Sequence, residues 1–420
     1  MDRRRFLKYT GATVAIVGAS ALGLNYSLKP EIQTPVPSTL SSSSSSVTYS
    51  TSSISSSSTT SALTQDNLNS MLEPIRQQNN VPGLTAAFVR GKDLTALGAV
   101  GTRRLGATER VQLNDLWHLG SDTKSMTATL IAMLVEQGKL TWQTTIADTF
   151  PDLLGRIQPD YHNLNLIQLC SHRAGIPGQD KGQDAYSKLN DQLWNLKGPL
   201  IQQRRTVVEL VLSQPPVSAP GSLFNYSNYS YIIAGAFTEQ VTGEQWEPLI
   251  QRMLFKPLAM ESVGFGPPGT PGKLDQPWGH TKSCEPLDPG NPSADNPPVL
   301  GPAGTVHSSM SDWARYATLH LLGAQGKQGL LLKPESFQQL HKDWYQQGYA
   351  LGWELPQRTW ASGVALQHNG FNNLWYADIW IAPQRNAALL AATNTTDCPS
   401  VGVGFKACDA AIAAMISKYL

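Results

Sequence analysis

A serine and a lysine lie three residues apart in the segment HLGSDTK, which covers residues 118–124. The stretch that follows is apolar on almost all sides and predicts a buried helix. Residues three apart share one helix face, so Ser121 and Lys124 are expected side by side. A serine hydroxyl becomes a nucleophile when a base takes its proton, and a lysine whose pKa is lowered by burial can take it. The free N–H groups of a helix start also suit a developing oxyanion. Taken alone, S-x-x-K is a weak signal, because many proteins contain this spacing by chance.

Two further motifs strengthen the signal. FNYSNYSY contains Tyr226 and Asn228 just before a predicted helix that ends near Gly243. LQHNGF contains His368 and Gly370 on a predicted strand. The order S-x-x-K, Y-x-N, H-x-G favours a functional role for the tyrosine over simple packing. Asn228 also stands where a helix N-cap is expected, and a site role and a capping role are compatible.

In this order the motifs resemble those of the serine β-lactamase and penicillin-recognising family, whose usual motifs are S-x-x-K, S-D-N and K-T-G. The tyrosine of the second motif resembles the class C-like branch, which also includes D-aminopeptidases, DD-peptidases and esterases of β-lactamase fold. Two other segments are similar to the family's pattern, LIQLCSHRAGIPG at residues 166–178 and GPAGTVHSSMSDWARYA at residues 301–317. The resemblance covers residues 64–420 and implies the fold without implying a substrate.

The resemblance implies a role for each residue of the first two motifs. Ser121 is the nucleophile and forms an acyl-enzyme, and Lys124 helps to remove its proton. Tyr226 shares the base role and passes a proton to the leaving group. Asn228 positions the carbonyl group of the substrate.

The third motif departs from the family's pattern. The resemblance implies that His368 flanks the site and tunes the charge near Tyr226, but histidine is a weaker cation than lysine at pH 7. Phe371 follows Gly370 where the family usually has Ser or Thr, whose hydroxyl helps to hold a substrate carboxylate. The N–H of Phe371 remains and, with the N–H of Ser121, is implied to form the oxyanion hole. Both departures favour ester or neutral amide substrates over β-lactams.

The elements around the motifs predict an α/β fold. A capped helix is expected at residues 64–80, followed by two paired strands that flank GKD at residues 91–93. Residues 144–262 are expected to be mostly helical, and three strand-like segments precede a C-terminal helix. The prediction is an antiparallel sheet flanked by helices and joined to an all-helical region, with the active site in the seam. By resemblance this is the β-lactamase/transpeptidase type.

Residues 1–27 predict an export signal or an anchor. RRRFLK at residues 3–8 resembles the bacterial twin-arginine motif, and the apolar run at residues 12–24 is short for a membrane span. Cleavage after this run and a retained membrane tether both stay open. Residues 28–63, rich in Ser and Thr, predict a flexible linker. Residues 64–420 are the predicted catalytic domain of a periplasmic or secreted bacterial protein.

Composition bears on partners and cofactors. A net charge of +1 over 420 residues gives no support for a nucleic-acid partner. The cysteines Cys170, Cys284, Cys398 and Cys408 lack zinc-ligand spacing, so the sequence gives no support for a metal site. No cofactor is expected. Export permits disulfides, and a Cys398–Cys408 pair and unpaired thiols both stay open.

The predicted function is an exported serine hydrolase that cleaves a small ester, amide or peptide through an acyl-enzyme on Ser121. Esterase, D-amino-acid peptidase and β-lactamase are the candidate activities, in that order. The alternative is a catalytically idle β-lactamase-like protein that binds peptidoglycan fragments or a partner, although an intact Ser/Lys/Tyr set argues against it. A Ser-His-Asp α/β-hydrolase is a weaker hypothesis, because the chain contains no G-x-S-x-G segment.

Overall fold

The computed structural model of the protein describes residues 65–178 and 184–420, without the side chains of residues 184–188. The predictions for residues 1–27 and 28–63 lie outside the described residues. The strands are β1 (Asp66–Asn67), β2 (Gly83–Arg90), β3 (Asp93–Gly101), β4 (Leu116–His118), β5 (Gly264–Phe265), β6 (Gly279–His280), β7 (Pro286–Leu287), β8 (Val306–Ser309), β9 (Gln357–Arg358), β10 (Gly363–Val364), β11 (Leu366–Phe371), β12 (Tyr376–Ala382) and β13 (Ala387–Thr393). The α-helices are α1 (Asn69–Asn79), α2 (Thr123–Glu136), α3 (Ile146–Thr149), α4 (Leu166–Cys170), α5 (Asp184–Leu193), α6 (Leu200–Leu212), α7 (Asn228–Thr242), α8 (Trp246–Ile250), α9 (Gly301–Gly304), α10 (Met310–Ala324), α11 (Pro334–Leu340) and α12 (Val403–Tyr419).

Six strands form the main sheet in the spatial order β1-β3-β2-β13-β12-β11. The predicted fold class is confirmed, with one difference in the sheet. Neighbouring strands are antiparallel except β1, which lies parallel to β3, so the sheet is mixed. The short strand β1 pairs with backbone groups on the outer side of β3. Directly after β1, the N–H of Leu68 donates to the carbonyl oxygen of Leu97 on β3.

Both faces of the main sheet are buried. Along β2, Leu84, Ala86 and Phe88 face a core that they share with α1 and α12, whereas Ala87 and Val89 face a second core. This alternation with a period of two is the side-chain geometry of a strand. The second core also contains side chains of α2, α6, α7 and α10, so it joins the sheet to the helical region.

Strand pairing and helix packing bring the three motifs to one place. β4 pairs with β8 in a small sheet, and the chain leaves β4 through a 3-10 turn at Gly120–Asp122 into α2. α2 is buried from Thr123 to Leu134, as its apolar surface predicted. α7 begins at Asn228, two residues after Tyr226, and β11 carries H-x-G at an edge of the main sheet. The motifs therefore meet in the seam between sheet and helical region, as predicted.

The cysteines pair differently from the pair considered from the sequence. Cys398 forms a disulfide with Cys284, which lies 114 residues away in the turn between β6 and β7. Cys408 is an unpaired, buried thiol on α12. A Cys398–Cys408 pair is therefore wrong, because α12 packs the side chain of Cys408 into the core beneath the sheet. Among the described residues, no helix has the length and apolar character needed to cross a membrane.

Candidate active site

Ser121 and Lys124 lie side by side at the start of α2, as the spacing predicted. The Nζ atom of Lys124 lies 2.9 Å from Oγ of Ser121. The same Nζ atom donates to Oδ1 of Asn228 at 2.7 Å and to the carbonyl oxygen of Ala303 at 2.7 Å. Lys124 is fully buried, whereas Ser121 is partly exposed. A buried amine is thus in contact with a hydroxyl that a substrate can reach.

The surroundings of Lys124 favour an uncharged amine. Burial lowers the pKa of Lys124 well below the usual lysine value, although the nearby Asp122 carboxyl acts in the opposite direction. An uncharged amine has two N–H groups and one lone pair. The oxygens of Asn228 and Ala303 can only accept hydrogen bonds, so they take the two N–H groups. The lone pair is then left for the hydroxyl of Ser121, and an amine in this arrangement is able to accept a hydroxyl proton.

Tyr226 lies beside Lys124, with its ring centroid 4.9 Å from Nζ. The N–H of Asn225 donates to the carbonyl oxygen of His172 at 2.8 Å, and the N–H of Ser227 donates to Nδ1 of His172 at 3.1 Å. The rings of His172 and Tyr226 pack with their centroids 4.2 Å apart. Burial is the main cause that lowers the pKa of His172 well below its usual value. An uncharged imidazole therefore packs against the ring of Tyr226, and His172 holds the backbone on either side of that tyrosine.

Asn228 joins the site through its side chain rather than through helix capping. It is the first residue of α7, and the N-cap position belongs to Ser227, whose side chain makes no capping hydrogen bond. The capping role predicted for Asn228 is therefore wrong by one position. Its Oδ1 atom instead orients the Nζ atom of Lys124.

The backbone segments that carry the N–H groups of Ser121 and Phe371 lie close together. Gln367 on β11 bonds outward to Glu354 through both its N–H and its C=O. Because backbone groups alternate in direction along a strand, the N–H of Phe371 also points outward, toward the turn before α2. A Cβ atom on Gly370 would lie 2.5 Å from the nitrogen of Ser121 and 1.9 Å from the carbonyl oxygen of Leu119. Only a glycine allows this approach, which explains the third residue of H-x-G.

His368 is buried and uncharged. Its Nε2 atom lies 3.3 Å from the hydroxyl of Tyr349, and its Nδ1 atom lies 3.8 Å from Oδ1 of Asp122. Burial is the first cause and the nearby Lys124 the second cause that lower the pKa of His368 to about 3. The third motif therefore supplies no positive charge at pH 7. The side chain of Phe371, 37% exposed, supplies no hydroxyl either.

Several residues of the site were not predicted from the sequence. Asp122 is buried, and burial together with Asp378 raises the pKa of its carboxyl well above the usual value. The carbonyl oxygen of Ala303 and the ring of His172 support Lys124 and Tyr226. Ala303 and His172 lie in the two segments that resemble the family's pattern, but nothing local in the sequence assigned them these contacts. Long-range packing alone brings them to the site.

The family follows from a comparison with known proteins. The family described as Beta-lactamase matches residues 68–404, which is most of the chain. The protein therefore belongs to the β-lactamase family, and the family predicted from the three motifs is confirmed. The coarse assignment as a hydrolase of this family rests on the same match.

Curated relatives of the chain include two described as unguisins hydrolases. The relative from Aspergillus violaceofuscus is 27% identical over 252 residues, which are 56% of this chain and 41% of that protein. The relative from Aspergillus campestris is 25% identical over 342 residues, which are 76% of this chain and 59% of that protein. The chain thus spans about half the length of these relatives.

Solved structures share the fold. A class C beta lactamase from Rhodobacter sphaeroides superposes with a TM-score of 0.62 at 19% sequence identity. The likeness covers 83% of this chain and 98% of that chain. At this identity it supports the fold and carries no statement about substrate.

Proposed function

We propose that this protein is a serine hydrolase that cleaves an ester or an amide through an acyl-enzyme on Ser121. The observation that carries the proposal is the contact of 2.9 Å between Ser121 Oγ and the buried Nζ of Lys124. The description of two relatives as hydrolases supports the same reaction class. Because the chain spans only part of those relatives, their substrate is not transferred to it.

The acylation step uses the groups at the seam. Oγ of Ser121 attacks the carbonyl carbon, and its proton passes to the lone pair of Lys124. The carbonyl oxygen becomes an oxyanion that the N–H groups of Ser121 and Phe371 stabilise. When the tetrahedral intermediate collapses, the bond to the leaving oxygen or nitrogen breaks, and Tyr226 passes a proton to that atom. The acyl group remains as an ester of Ser121.

Deacylation reverses these proton movements with water as the nucleophile. A water molecule attacks the acyl carbon and gives a proton to the base formed by Tyr226 and Lys124. The ester bond to Ser121 breaks, and its Oγ regains a proton from the same pair. The product leaves as a free acid.

Neutral substrates suit this site better than substrates with a carboxylate. An uncharged His368 and the hydrocarbon ring of Phe371 offer neither a cation nor a hydroxyl to an anion. Burying an unpaired carboxylate beside them costs free energy. We therefore rank esterase first, D-amino-acid peptidase second and β-lactamase third.

Export is part of the proposal. Disulfides persist in oxidising compartments, and the Cys284–Cys398 bond is consistent with a periplasmic or secreted protein. Together with the twin-arginine-like motif, this favours translocation through the signal at residues 1–27, with a membrane tether if that segment is retained. Fractionation of cells that express the full chain tests it. Recovery of the protein in the cytoplasm, with free thiols at both positions, would contradict export.

The test of the activity is the intact mass of the protein after mixing with a fluorophosphonate probe and, separately, with a fluorescent penicillin. The wild type and Ser121→Ala are compared, with circular dichroism as the control for folding. We expect an adduct with the fluorophosphonate in the wild type, and no adduct in Ser121→Ala.

Each outcome has a distinct meaning. Labelling by the fluorophosphonate alone supports a hydrolase of neutral substrates, and labelling by penicillin as well moves the proposal to a peptidase or β-lactamase. Equal labelling of wild type and Ser121→Ala would refute Ser121 as the nucleophile. A folded wild type that forms no adduct with either reagent would favour the idle binding protein.

A further inference from the structure

The two donors of the oxyanion hole come from separate parts of the chain. Ser121 lies in the turn after β4, and Phe371 ends β11 of the main sheet. A Cβ atom on Gly120 would lie 2.5 Å from the nitrogen of Phe371, so the two segments abut. Donors stabilise an oxyanion only when their positions are fixed before the reaction. Something must therefore hold the two segments in register.

The carboxylate of Asp295 bridges the two segments. Its Oδ2 atom accepts from Nε2 of His118 at 3.0 Å, and its Oδ1 atom accepts from Nδ2 of Asn372 at 2.8 Å. His118 lies three residues before the nucleophile, and Asn372 directly follows Phe371. The side chain of His118 is fully buried and that of Asp295 is 5% exposed. Oδ1 also accepts from the N–H of Asn296, which fixes the carboxylate on its own loop.

One link from Asp295, the histidine arm, runs through His118 to the backbone of the turn at Gly120. Nδ1 of His118 accepts from the N–H of Gly120 at 3.1 Å, so the ring carries its proton on Nε2 and donates it to Asp295. The carboxylate therefore fixes both the tautomer and the orientation of the ring. The ring in turn holds the peptide unit directly before the N–H of the nucleophile.

The asparagine arm also ends on the backbone. Oδ1 of Asn372 accepts from the N–H groups of Leu374 at 3.2 Å and of Trp375 at 3.1 Å. These bonds close the turn that follows Phe371. The amide group of Asn372 can satisfy this turn and Asp295 together only in one orientation.

We propose that Asp295 is a positioning residue that holds the two halves of the oxyanion hole together through His118 and Asn372. It touches neither the substrate nor the reacting atoms. The inference rests on the proposed acyl-enzyme function. It assigns a role to the loop between β7 and α9, which the sequence marks only as rich in Pro, Gly and Asp.

Asp295→Asn is the sharpest perturbation, because it keeps size and shape. Both side-chain partners of Asp295 are donors, and an asparagine side chain offers one acceptor oxygen and one NH2 group. Its NH2 group must face either His118 or Asn372, so one arm breaks. Asn372→Ala breaks the asparagine arm and leaves the bond between His118 and Asp295. It serves as the second variant if Asp295→Asn folds poorly.

Asp288→Asn is the matched control. Asp288 lies on the same loop and accepts from the backbone N–H groups of Gly272 and Gly290, both at 2.7 Å. The substitution removes the same charge and also weakens a loop contact. It does not reach the nucleophile turn or β11 through any of these bonds.

The experiment measures acylation of the full chain by para-nitrophenyl acetate in single turnover, with the carbonyl carbon labelled with carbon-13. The infrared band of the trapped acyl carbonyl is recorded on the same samples. Active sites are counted with the fluorophosphonate probe. An acyl carbonyl absorbs at lower wavenumber when it accepts hydrogen bonds, so the position of the band reports the hydrogen bonds of the oxyanion hole. A general loss of stability would not shift this band.

We expect Asp295→Asn and Asn372→Ala to acylate on the order of 10- to 100-fold more slowly per active site, with the carbonyl band shifted to higher wavenumber. Asp288→Asn should match the wild type in both. Wild-type acylation with an unmoved band in Asp295→Asn would overturn this inference and leave the proposed function standing. A wild type that is not acylated at Ser121 would overturn both.

Discussion

Gly370→Ala tests the closest approach in the site. The added methyl group would lie 1.9 Å from the carbonyl oxygen of Leu119 and 2.5 Å from the nitrogen of Ser121. The φ angle of Gly370 is not in the left-handed region, so alanine is strained here by contact alone. Both contacts are with backbone atoms, which cannot rotate away as a side chain can.

The size of the effect follows from these distances. To reach an ordinary contact of 3.4 Å, the methyl group and the oxygen of Leu119 must separate by about 1.5 Å. That movement opens the gap between the N–H groups of Ser121 and Phe371. A misplacement of about 1 Å at a reacting centre costs about 100-fold in rate. We therefore expect acylation to slow by at least about 100-fold, which is about 2.7 kcal/mol in activation free energy.

The assay is single-turnover acylation by para-nitrophenyl acetate, normalised to the fraction of folded protein from near-UV circular dichroism. Gly155→Ala is the control, because its added methyl group meets no atom within 4 Å and its φ angle is also outside the left-handed region. A Gly370→Ala enzyme that is folded and acylates at the wild-type rate would refute the geometry of the oxyanion hole.

Three further predictions follow from the contacts of the site and from the disulfide. Asn228→Asp puts a negative charge 2.7 Å from Nζ of Lys124, so it raises the pKa of Lys124 and shifts the acid limb of the acylation profile to higher pH; an unshifted limb would argue against Lys124 as the base. Phe371→Ser introduces a hydroxyl where the family usually has one, so we expect labelling by fluorescent penicillin to increase up to about tenfold. Phe371→Ala only opens space and should not increase the labelling. Replacing Cys284 and Cys398 by serine removes a link across 114 residues and should lower the free energy of unfolding by about 5 kcal/mol in urea titrations; a midpoint equal to that of the oxidised wild type would contradict this.

Local patterns in the sequence predicted much of the framework. The apolar residues all around α2 indicated a buried helix, and α2 is buried from Thr123 to Leu134. The strand-like segments near the C-terminus became β11, β12 and β13. These features depend on neighbours within a few residues, which a single sequence displays.

Features that depend on distant neighbours were missed. The parallel pairing of β1 with β3 and the small sheet of β4, β8 and β5 have no local periodicity to indicate them. The partner of Cys398 was not its nearer neighbour in sequence, because disulfide geometry is set by the folded chain.

The site divides in the same way. The order of the motifs predicted that Ser121, Lys124 and Tyr226 lie together, because it resembles the order of the motifs in the β-lactamase family. The bridge from Asp295 to His118 and Asn372 was not predicted, because 177 residues separate Asp295 from His118. The three residues of this bridge are of types that are common in a loop, a short strand and a turn. Only the folded chain shows that they contact each other.

The most direct test of the central claim is the rate constant for acylation of Ser121 by the fluorophosphonate, measured from pH 5 to pH 11. The claim is that an uncharged Lys124 takes the proton of Ser121. Below its pKa, Lys124 is protonated and cannot act as a base, and burial lowers that pKa well below the ordinary value of 10.5. We predict a rate that falls on the acid side with a midpoint well below 10.5. A rate that rises through pH 10 with the midpoint of an ordinary lysine would contradict the account.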